Sequence, residues 1–518
     1  MKKSCYTEVE DMVDLCQKLL MGVDVGTSYL KLSLFTLNGK KCMEVRKKLR
    51  VINPNPGIFE QKPEEIWKKF SKGTKELIIK TKARPENIEA IGVAGHMPSP
   101  IPLSRNGDPL TNCLLHIDNR GLRYVNKITE KLSPKEVYTK AGVRPSSSYS
   151  ATKYLWLKYE QPDRYHNVYK FVEPASFITF KLTDSIWFDE THAAGTMLFD
   201  IHKRRWNSEL ISLLNLDLEK LPDTLSSTQL VGEVTSKASK ATGLMKGTPV
   251  TVGVADTFAA VFGNGVEGKN ILSNISGTTE CLNIVVDKVV LDKQMRFSCY
   301  PFIIHDKWVL DAAFASGILV NEFLKIFFKK APSEKLYSKI DHMLKDTSIG
   351  ADHMLFYPFV ASGEQSPYWD PYSKPVLIGI DINKNIKHII RAVFEGLTYA
   401  VKLNIDAFLE NYIDVNQIIL SGGGAKNIFW SQMKADVSEL PVKISRDKDN
   451  TSLGAALIAG LATKIYGDIE DCRKRVLLNY TTLLPNIERH VKYVDYYNLF
   501  KKIYPSIRGI FRRLNTCK

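Results

Sequence analysis

The chain has 518 residues, 44% of them hydrophobic and 25% charged, which predicts two to four domains, with two large ones fitting best. No apolar run approaches the roughly 18 residues that span a bilayer, and acidic residues interrupt residues 1–20, which excludes the apolar core of a signal peptide. The net charge is +15, but lysines are spread along the whole chain without a nucleic-acid motif. We therefore predict a cytoplasmic protein with neither a membrane nor a nucleic-acid partner.

The first predicted element is a β-hairpin near the N-terminus. Apolar residues alternate on either side of Gly26, Thr27 and Ser28, which predicts two strands joined by a tight turn. Such a turn can offer backbone N–H groups to an anionic oxygen, because Gly26 carries no side chain. Asp24 would lie at the mouth of this turn. An ordinary hairpin with an outward-facing Asp24 explains this segment alone equally well.

A second hairpin of the same design follows in the middle of the chain. Residues 271–275 and 281–286 are predicted strands that flank a turn containing Gly277, Thr278 and Thr279. Two phosphate-binding turns this far apart in sequence predict a molecule built from two similar halves.

A third glycine cluster contains Gly422, Gly423 and Gly424 and is followed by Asn427. It lies between a predicted strand and a predicted helix, where a flat purine can lie against bare backbone. The cluster matches neither GxxxxGK[ST] nor a correctly placed GxGxxG, which disfavours the nucleotide-binding folds that those motifs define.

Taken in order, seven segments carry a family resemblance: VDVGTSYLKL, HIDNRG, GVADTFAAVFGNG, NISGTTE, SGEQSPYWDP, RAVFEGLTYAV and LSGGGAKNIFWSQMKADVSELPV. The chain resembles the FGGY carbohydrate kinases, most closely their xylulose-kinase-like branch, from about Met21 to Tyr497. The resemblance implies an α/β fold of two ribonuclease H-like domains of the actin, hexokinase and Hsp70 type. It also implies that ATP and a sugar bind in the central cleft between them.

The repeated turns and the resemblance together predict four segments. These are an N-terminal extension (1–20), an N-terminal domain on the sugar and phosphate side (21–263), a C-terminal domain on the nucleotide side (264–490) and a basic C-terminal helix (491–518). Aromatic residues recur at helical spacing from Tyr493 onward, which indicates packing of that helix. A homodimer stays open as an alternative to a monomer.

Asp256 is the predicted general base. It lies between a predicted strand and a predicted helix, where the helix dipole favours the ionised carboxylate. An ionised carboxylate can accept the proton of a sugar hydroxyl whose oxygen attacks the γ-phosphorus. A helix cap is predicted equally well by this position, but the aspartate of the family pattern GxxDxxxxxxG, which the resemblance implies to be the base, falls on Asp256.

The resemblance further implies that Asp24 binds Mg²⁺ through water. Thr27 and Ser28 would then lie on one side of the β- and γ-phosphates, with Thr278 and Thr279 on the other. Neither turn contains a lysine, so charge neutralisation is expected from the metal and from backbone N–H groups.

The implied sugar-binding residues lie on three segments, and they are His96, Met97, Asp118, Arg120, Asp256 and Thr257. The chain departs here from the family pattern. Xylulose kinases have Gln-Met-His at positions 96–98 and Asp-Asn at positions 256–257, and the family has tryptophan at His116 and usually arginine at Gln365. Asp118 and Arg120 can bind polyol hydroxyls or pair with each other structurally, and His96 is either a ligand or a core histidine.

The resemblance implies an ATP-dependent kinase with D-xylulose as the leading substrate. A kinase of another ketose, a polyol or a sugar acid (ribulose, glycerol, erythritol, gluconate) is the alternative, and a non-catalytic sugar or nucleotide sensor on the same scaffold is another. A sensor would not need the base Asp256. An Hsp70-like ATPase module would lack its peptide-binding domain and would not explain the kinase motifs.

Overall fold

The computed structural model describes residues 17–329, 334–360, 365–446 and 449–516. Most of the predicted N-terminal extension therefore lies outside the described residues. In the described chain no helix is both long and apolar enough to cross a membrane.

The strands of the first half are β1 (Leu19–Val25), β2 (Tyr29–Thr36), β3 (Lys41–Lys48), β4 (Glu60–Gln61), β5 (Ile88–Gly95), β6 (Ile101–Leu103), β7 (Cys113–Leu114), β8 (Lys170–Val172), β9 (Phe188–Asp189), β10 (Phe199–Asp200), β11 (Arg205–Trp206), β12 (Thr224–Leu225), β13 (Leu230–Glu233), β14 (Pro249–Thr251) and β15 (Val254–Ala255). Those of the second half are β16 (Ile271–Ser276), β17 (Thr279–Val286), β18 (Ser298–Pro301), β19 (Trp308–Ala315), β20 (Leu355–Tyr357), β21 (Val376–Ile378), β22 (Gln417–Ser421), β23 (Val442–Ser445) and β24 (Tyr480–Leu483).

The helices are α1 (Pro63–Thr81), α2 (Leu122–Thr129), α3 (Pro134–Ala141), α4 (Ser150–Glu160), α5 (Pro162–His166), α6 (Pro174–Thr183), α7 (Glu190–Ala194), α8 (Ser208–Leu213), α9 (Ser236–Thr242), α10 (Asp256–Gly263), α11 (Gly317–Phe328), α12 (Glu334–Lys345), α13 (Ile386–Leu409), α14 (Ile428–Ser438), α15 (Asn450–Ala462), α16 (Ile469–Arg475) and α17 (Ile487–Thr516).

Each half is built on one seven-stranded mixed sheet. The first has the order β13-β14-β5-β1-β2-β3, with β15 also paired to β5, and the second has the order β18-β19-β17-β16-β22-β23-β24. In both, an antiparallel hairpin (β1–β2, β16–β17) continues into a parallel strand on its other side (β5, β22). The repeated topology confirms the predicted α/β fold of two similar halves.

The two predicted hairpin turns occupy equivalent places in the two sheets. One joins β1 to β2 and the other joins β16 to β17, in each case at the carboxyl end of the first strand. Ligands of open α/β sheets bind at this end of the strands, so the fold places both turns where a site is expected.

Helix α15 lies between β23 and β24 of the second sheet in sequence but packs on the first sheet. A side chain on Gly22 of β1 would lie 1.9 Å from the carbonyl oxygen of Ser452, and one on Gly92 of β5 would lie 1.8 Å from that of Ala455. Glycine is therefore needed at both positions, because a side chain at either would prevent the helix from lying this close to the sheet. Its buried residues join the large core that also contains parts of the first half.

The C-terminal helix α17 begins at Ile487, four residues before the predicted segment. Tyr493, Tyr497 and Phe500 are buried in the core of the second half. The aromatic periodicity therefore reflects packing. The predicted domain boundaries themselves stay a prediction.

Candidate active site

The first turn, residues 26–28, is closed by a hydrogen bond from the Gly26 N–H to the carbonyl oxygen of Tyr29 (3.1 Å). The carbonyl of Thr27 accepts a hydrogen bond from Gln61 Nε2 (2.6 Å). Within the described chain, the N–H groups of Thr27 and Ser28 have no internal partner. These two groups, rather than that of Gly26, are available to an anionic oxygen.

The second turn repeats this geometry. The Gly277 N–H donates to the carbonyl oxygen of Thr279 (3.0 Å), and the carbonyl of Thr278 accepts from the N–H groups of Ser316 (3.2 Å) and Ile318 (3.1 Å) at the start of α11. Gly277, Thr278 and Thr279 are exposed. The turn is thus anchored from behind by a helix and presents its three residues to solvent.

A buried ion pair lies behind the second turn. Lys434 of α14 bonds Glu280 Oε1 and lies 3.0 Å from Asn274 Oδ1, and both members of the pair are at most 1% exposed. Glu280 Oε2 accepts hydrogen bonds from the hydroxyls of Ser276 and Ser316 (3.0 Å each). Burial lowers the pKa of Lys434, and Glu280 opposes this. Through these bonds the Lys434–Glu280 pair holds the residues on both sides of the second turn.

The third glycine cluster lies against the second turn. Gly422 has φ +89° and a side chain there would come within 2.5 Å of the Ser276 carbonyl oxygen, while one on Gly424 would come within 2.1 Å of the Ser276 hydroxyl. Gly423 is exposed with open space above it. The structure therefore brings the second and third glycine segments together, as a nucleotide site between them requires.

Asn427 follows this cluster and uses both ends of its side-chain amide. Its Oδ1 accepts the Trp430 N–H (2.8 Å), which caps α14, and its Nδ2 donates to Asp341 (2.6 Å). In this structure Asn427 is held by the protein, so its predicted nucleotide contact would replace the bond to Asp341.

Asp256 is the first residue of α10, and Ala255 is the N-cap. Asp256 Oδ1 accepts the Thr257 N–H (2.7 Å) and lies 3.3 Å from the Thr257 hydroxyl, whereas Oδ2 has no hydrogen-bond partner in the described chain. Burial raises the pKa of Asp256 to about 6, and the Asp24 carboxylate adds to this rise. The sequence predicted from the helix position that the ionised form is favoured, whereas burial and the neighbouring carboxylate raise the pKa.

Asp24 is buried and lies opposite Lys31 in the β1–β2 register. Lys31 Nζ is 2.7 Å from Asp24 Oδ2 and 3.8 Å from Asp449 Oδ1. Burial raises the pKa of Asp24, Lys31 lowers it and Asp449 raises it again. Negative charge is therefore concentrated around Asp24 beyond what Lys31 neutralises.

This excess of carboxylate is a suitable environment for a hard cation. Among the residues that the structure describes, no group of three or more His, Cys, Asp and Glu side chains could hold a metal. A magnesium ion beside Asp24 would thus take most of its ligands from water and phosphate oxygens, which is how Mg²⁺ binds in such sites. The chemistry of Asp24 fits the predicted metal on these terms.

His96 is held at both ring nitrogens. Nδ1 lies 2.9 Å from the Ser99 hydroxyl and Nε2 lies 3.2 Å from Gln61 Oε1. Burial lowers the pKa of His96 to about 3, so the ring is neutral. Since Gln61 also bonds the carbonyl of Thr27, His96 connects the sugar loop to the first turn. These contacts favour the core-histidine interpretation.

Asp118 is buried and forms an ion pair with the partly exposed Arg120. Arg120 Nη2 lies 3.0 Å from Asp118 Oδ2, which also accepts the Phe59 N–H (2.8 Å). The same guanidinium bonds Glu60 (2.7 Å) and stacks over the ring of Trp156 at 4.6 Å. The Asp118 carboxylate is therefore occupied by the protein, which favours the structural interpretation.

Four other residues of the predicted sugar side have different surroundings. Thr257 and Met97 are half-buried, and the Met97 sulfur packs against Gly195. His116 has a buried Nδ1 without a partner among the described residues, and burial lowers its pKa to about 4. Gln365 is buried, whereas residues 363–364 of the same motif lie outside the described residues.

Two family models match the chain: the N-terminal domain of the FGGY family of carbohydrate kinases over residues 19–263 and the C-terminal domain of that family over residues 272–463. The chain belongs to the FGGY family of carbohydrate kinases. It is therefore an enzyme, a phosphotransferase that acts on a sugar, and kinases of this family use ATP.

Individual relatives agree with this membership. The chain is 28% identical over 508 residues to a xylulose kinase of Bacillus subtilis (strain 168), covering 96% of this chain and 99% of the relative. A gluconate kinase and a ligand-bound xylulose kinase, both from Lactobacillus acidophilus, have crystal structures that match it with a TM-score of 0.89 at 22% identity, covering 96% of this chain and 100% of theirs. The predicted two-domain sugar-kinase fold is thereby confirmed.

Sequence reasoning missed several residues of this kinase's site. Lys31 had a usable signal, because a hairpin with its turn at residues 26–28 places Lys31 directly opposite Asp24. Asp449, Glu280 and Lys434 had none, since each meets its partners only through the tertiary fold.

Proposed function

We propose that this sugar kinase transfers the γ-phosphoryl group of ATP to a ketose, with D-xylulose as the leading substrate and D-xylulose 5-phosphate as the product. The half-buried Asp256 carboxylate, with one oxygen held and the other unpartnered within the described chain, is the observation that carries the proposed chemistry. The choice of sugar is supported by the similarity to the Bacillus subtilis xylulose kinase along nearly the whole of both chains.

Asp256 would act as general base. The Thr257 N–H holds Oδ1, which leaves Oδ2 to accept the proton of the sugar hydroxyl as its oxygen attacks the γ-phosphorus in line with the leaving group. Met97, His116 and Thr257 would contact the sugar. His96, Asp118 and Arg120 would contribute by holding the surrounding loops, since their polar atoms already bond other residues.

The nucleotide would lie between the two turns. The β- and γ-phosphates would be bound from one side by Thr27 and Ser28 and from the other by Thr278 and Thr279. The purine would lie against residues 422–424 and Asn427. Asp24 would hold Mg²⁺ through water. The metal, when bound, neutralises the charge that develops on the phosphate oxygens.

A screen of ADP release across pentuloses, polyols and aldonic acids tests the substrate. We expect the highest kcat/KM with D-xylulose. The Lactobacillus acidophilus structure titled gluconate kinase makes a sugar acid the second candidate, and a kcat/KM for gluconate above that for D-xylulose would replace the ketose assignment.

Activity is expected to fall in acid. Because Asp256 must be ionised to accept a proton and its pKa is raised to about 6, kcat/KM for the sugar should decrease about tenfold per pH unit below that value and level off above it. The measurement is a pH profile at saturating MgATP. A profile that stays level even below about pH 4, the ordinary aspartate pKa, would contradict the assignment of Asp256.

The Gly277→Val enzyme is expected to fold normally but to bind ATP about tenfold more weakly, ~1.4 kcal/mol. The nearest protein atom to a side chain at Gly277 is the Thr279 carbonyl oxygen at 3.6 Å, an ordinary contact, so the added bulk meets the phosphates rather than the protein. Nucleotide titration and a melting curve measure the two effects.

The matched control for this variant is Gly268→Val, because nothing lies within 4 Å of a side chain there. It should leave both measurements unchanged. Wild-type affinity for ATP in folded Gly277→Val protein would remove the second turn from the nucleotide site.

A further inference from the structure

Three buried side chains connect the start of α10 to the sugar loop, and the mechanism above does not use them. Asp189 ends β9, and Thr191 and His192 belong to α7. All three are at most 1% exposed. For most of their hydrogen bonds, the chemistry of the two partner atoms shows which atom donates and which accepts.

The first arm leads from Asp189 to α10. Asp189 Oδ1 accepts the N–H groups of Thr191 and His192 (3.0 Å each) and the hydroxyl of Thr191. Because the Thr191 hydroxyl donates its only hydrogen to Asp189, it can receive the Ala255 N–H, which lies 2.8 Å away. Ala255 is the N-cap of α10 and directly precedes Asp256.

The second arm leads from Asp189 to the sugar loop. His192 Nε2 lies 3.1 Å from the carbonyl oxygen of Gly95, which can only accept, so Nε2 carries a hydrogen. Nδ1 bonds Asp189 Oδ2. Against the effect of burial, the charge of His192 and the hydrogen bonds from Thr191 and His192 lower the pKa of Asp189, so Asp189 is ionised and Nδ1 carries the shared hydrogen. Gly95 directly precedes His96.

His192 is therefore assigned as an imidazolium, with the hydrogen on Nε2 fixed by the Gly95 carbonyl. Burial opposes its charge, but the Asp189 carboxylate outweighs burial and raises the pKa of His192 to about 9. The positive charge also acts on Asp256, whose pKa it lowers. A fully buried ion pair is costly unless its remaining groups are hydrogen-bonded, and here both arms end on backbone groups that need partners.

We propose that Asp189, Thr191 and His192 form a positioning brace that sets the distance between Asp256 and the sugar loop at residues 95–98. The proposal rests on the assignment of Asp256 as general base. Ala255 and Gly95 are already neighbours in the β15–β5 pairing. One arm holds the backbone next to the base and the other holds the backbone next to the loop, so a single carboxylate reinforces this pairing from both sides. A misplacement of about 1 Å between reacting groups can cost about 100-fold in rate.

The test compares Thr191→Val with Thr74→Val. Both threonines are buried and both substitutions keep the side-chain shape, but the Thr74 hydroxyl bonds only the carbonyl of Phe70 within α1. Thr191→Val should lower kcat/KM for the sugar about 10 to 100-fold, because kcat falls and the KM for the sugar rises. The KM for ATP should stay within about twofold of wild type. Thr191→Ser should restore activity, and Thr74→Val should match wild type.

Folded Thr191→Val enzyme with wild-type sugar kinetics would overturn the brace, and so would a loss shared equally between sugar and ATP parameters.

If Thr191→Val does not fold, ¹⁵N spectra of the histidine-labelled wild-type enzyme replace it, with the His192 signal assigned by its loss in His192→Gln. Both ring nitrogens should be protonated at neutral pH, and a His192 without a hydrogen on Nε2 would lack the arm to Gly95 and overturn the brace. An active Asp256→Asn enzyme would instead remove the base assignment itself.

Discussion

The Asp256→Asn enzyme is expected to lose about 100 to 10,000-fold of kcat, which is the usual contribution of a general base. Asparagine keeps the shape of the side chain, and its amide oxygen can still accept the Thr257 N–H that now bonds Oδ1. It cannot take up the hydroxyl proton. ATP affinity should change little, because Asp256 is not among the residues that we assign to the phosphates. Steady-state kinetics together with nucleotide titration measure both quantities.

Asp311→Asn is the matched control for this variant. Asp311 lies on β19 of the second sheet, accepts a hydrogen bond from Asn283 Nδ2 (2.6 Å) and has its pKa raised to about 6 by burial. Like Asp256, Asp311 is therefore a carboxylate whose pKa is raised by burial, but Asp311 does not lie beside the first turn. We expect Asp311→Asn to turn over normally. Turnover of Asp256→Asn within a few-fold of wild type would exclude this carboxylate as the base.

The Lys434→Met enzyme is expected to lose about 3 to 5 kcal/mol of stability, because removing one member of a buried ion pair leaves the other charge unpaired. Glu280 would keep only its bonds from neutral groups, Asn274, Ser276 and Ser316. The second turn should loosen as well, and the KM for ATP should rise about tenfold, ~1.4 kcal/mol. Denaturant unfolding and ATP kinetics report the two losses.

Two further variants separate these effects. In Glu280→Gln/Lys434→Met no charge is left unpaired, so much of the stability should return. Arg391→Met breaks another buried pair of the same half, with Glu395, and should destabilise the fold without changing the KM for ATP. A Lys434→Met protein as stable as wild type would show that the pair contributes nothing to the fold, and an unchanged KM for ATP would separate it from the turn.

The sequence was sufficient for those parts of the site that depend on local pattern. Alternating apolar residues around Gly26 and Gly277 predicted both hairpins, and the strand-to-helix change at Asp256 predicted the start of α10, all of which the structure confirms. A hairpin determines its own register, so even the contact of Asp24 with Lys31 was within reach.

The parts that the sequence could not supply are contacts between distant segments. Lys434 lies on a helix 154 positions from Glu280, and a lysine on a helix is usually solvated. Thr191 meets Ala255 across 64 positions. The pKa of Asp256 also escaped prediction, because the helix dipole is a local property whereas burial and the neighbouring Asp24 depend on the tertiary structure.

The position of α15 has a consequence for synthesis on the ribosome. Gly22 and Gly92, where the first sheet carries no side chain, are covered by α15, a helix that is translated only after most of the chain. At about 5–20 residues per second, the delay is on the order of tens of seconds. The nascent first sheet must therefore wait with the face that α15 covers still exposed, so this kinase cannot complete its halves one after the other, and exposed apolar surface of this kind favours aggregation during the interval.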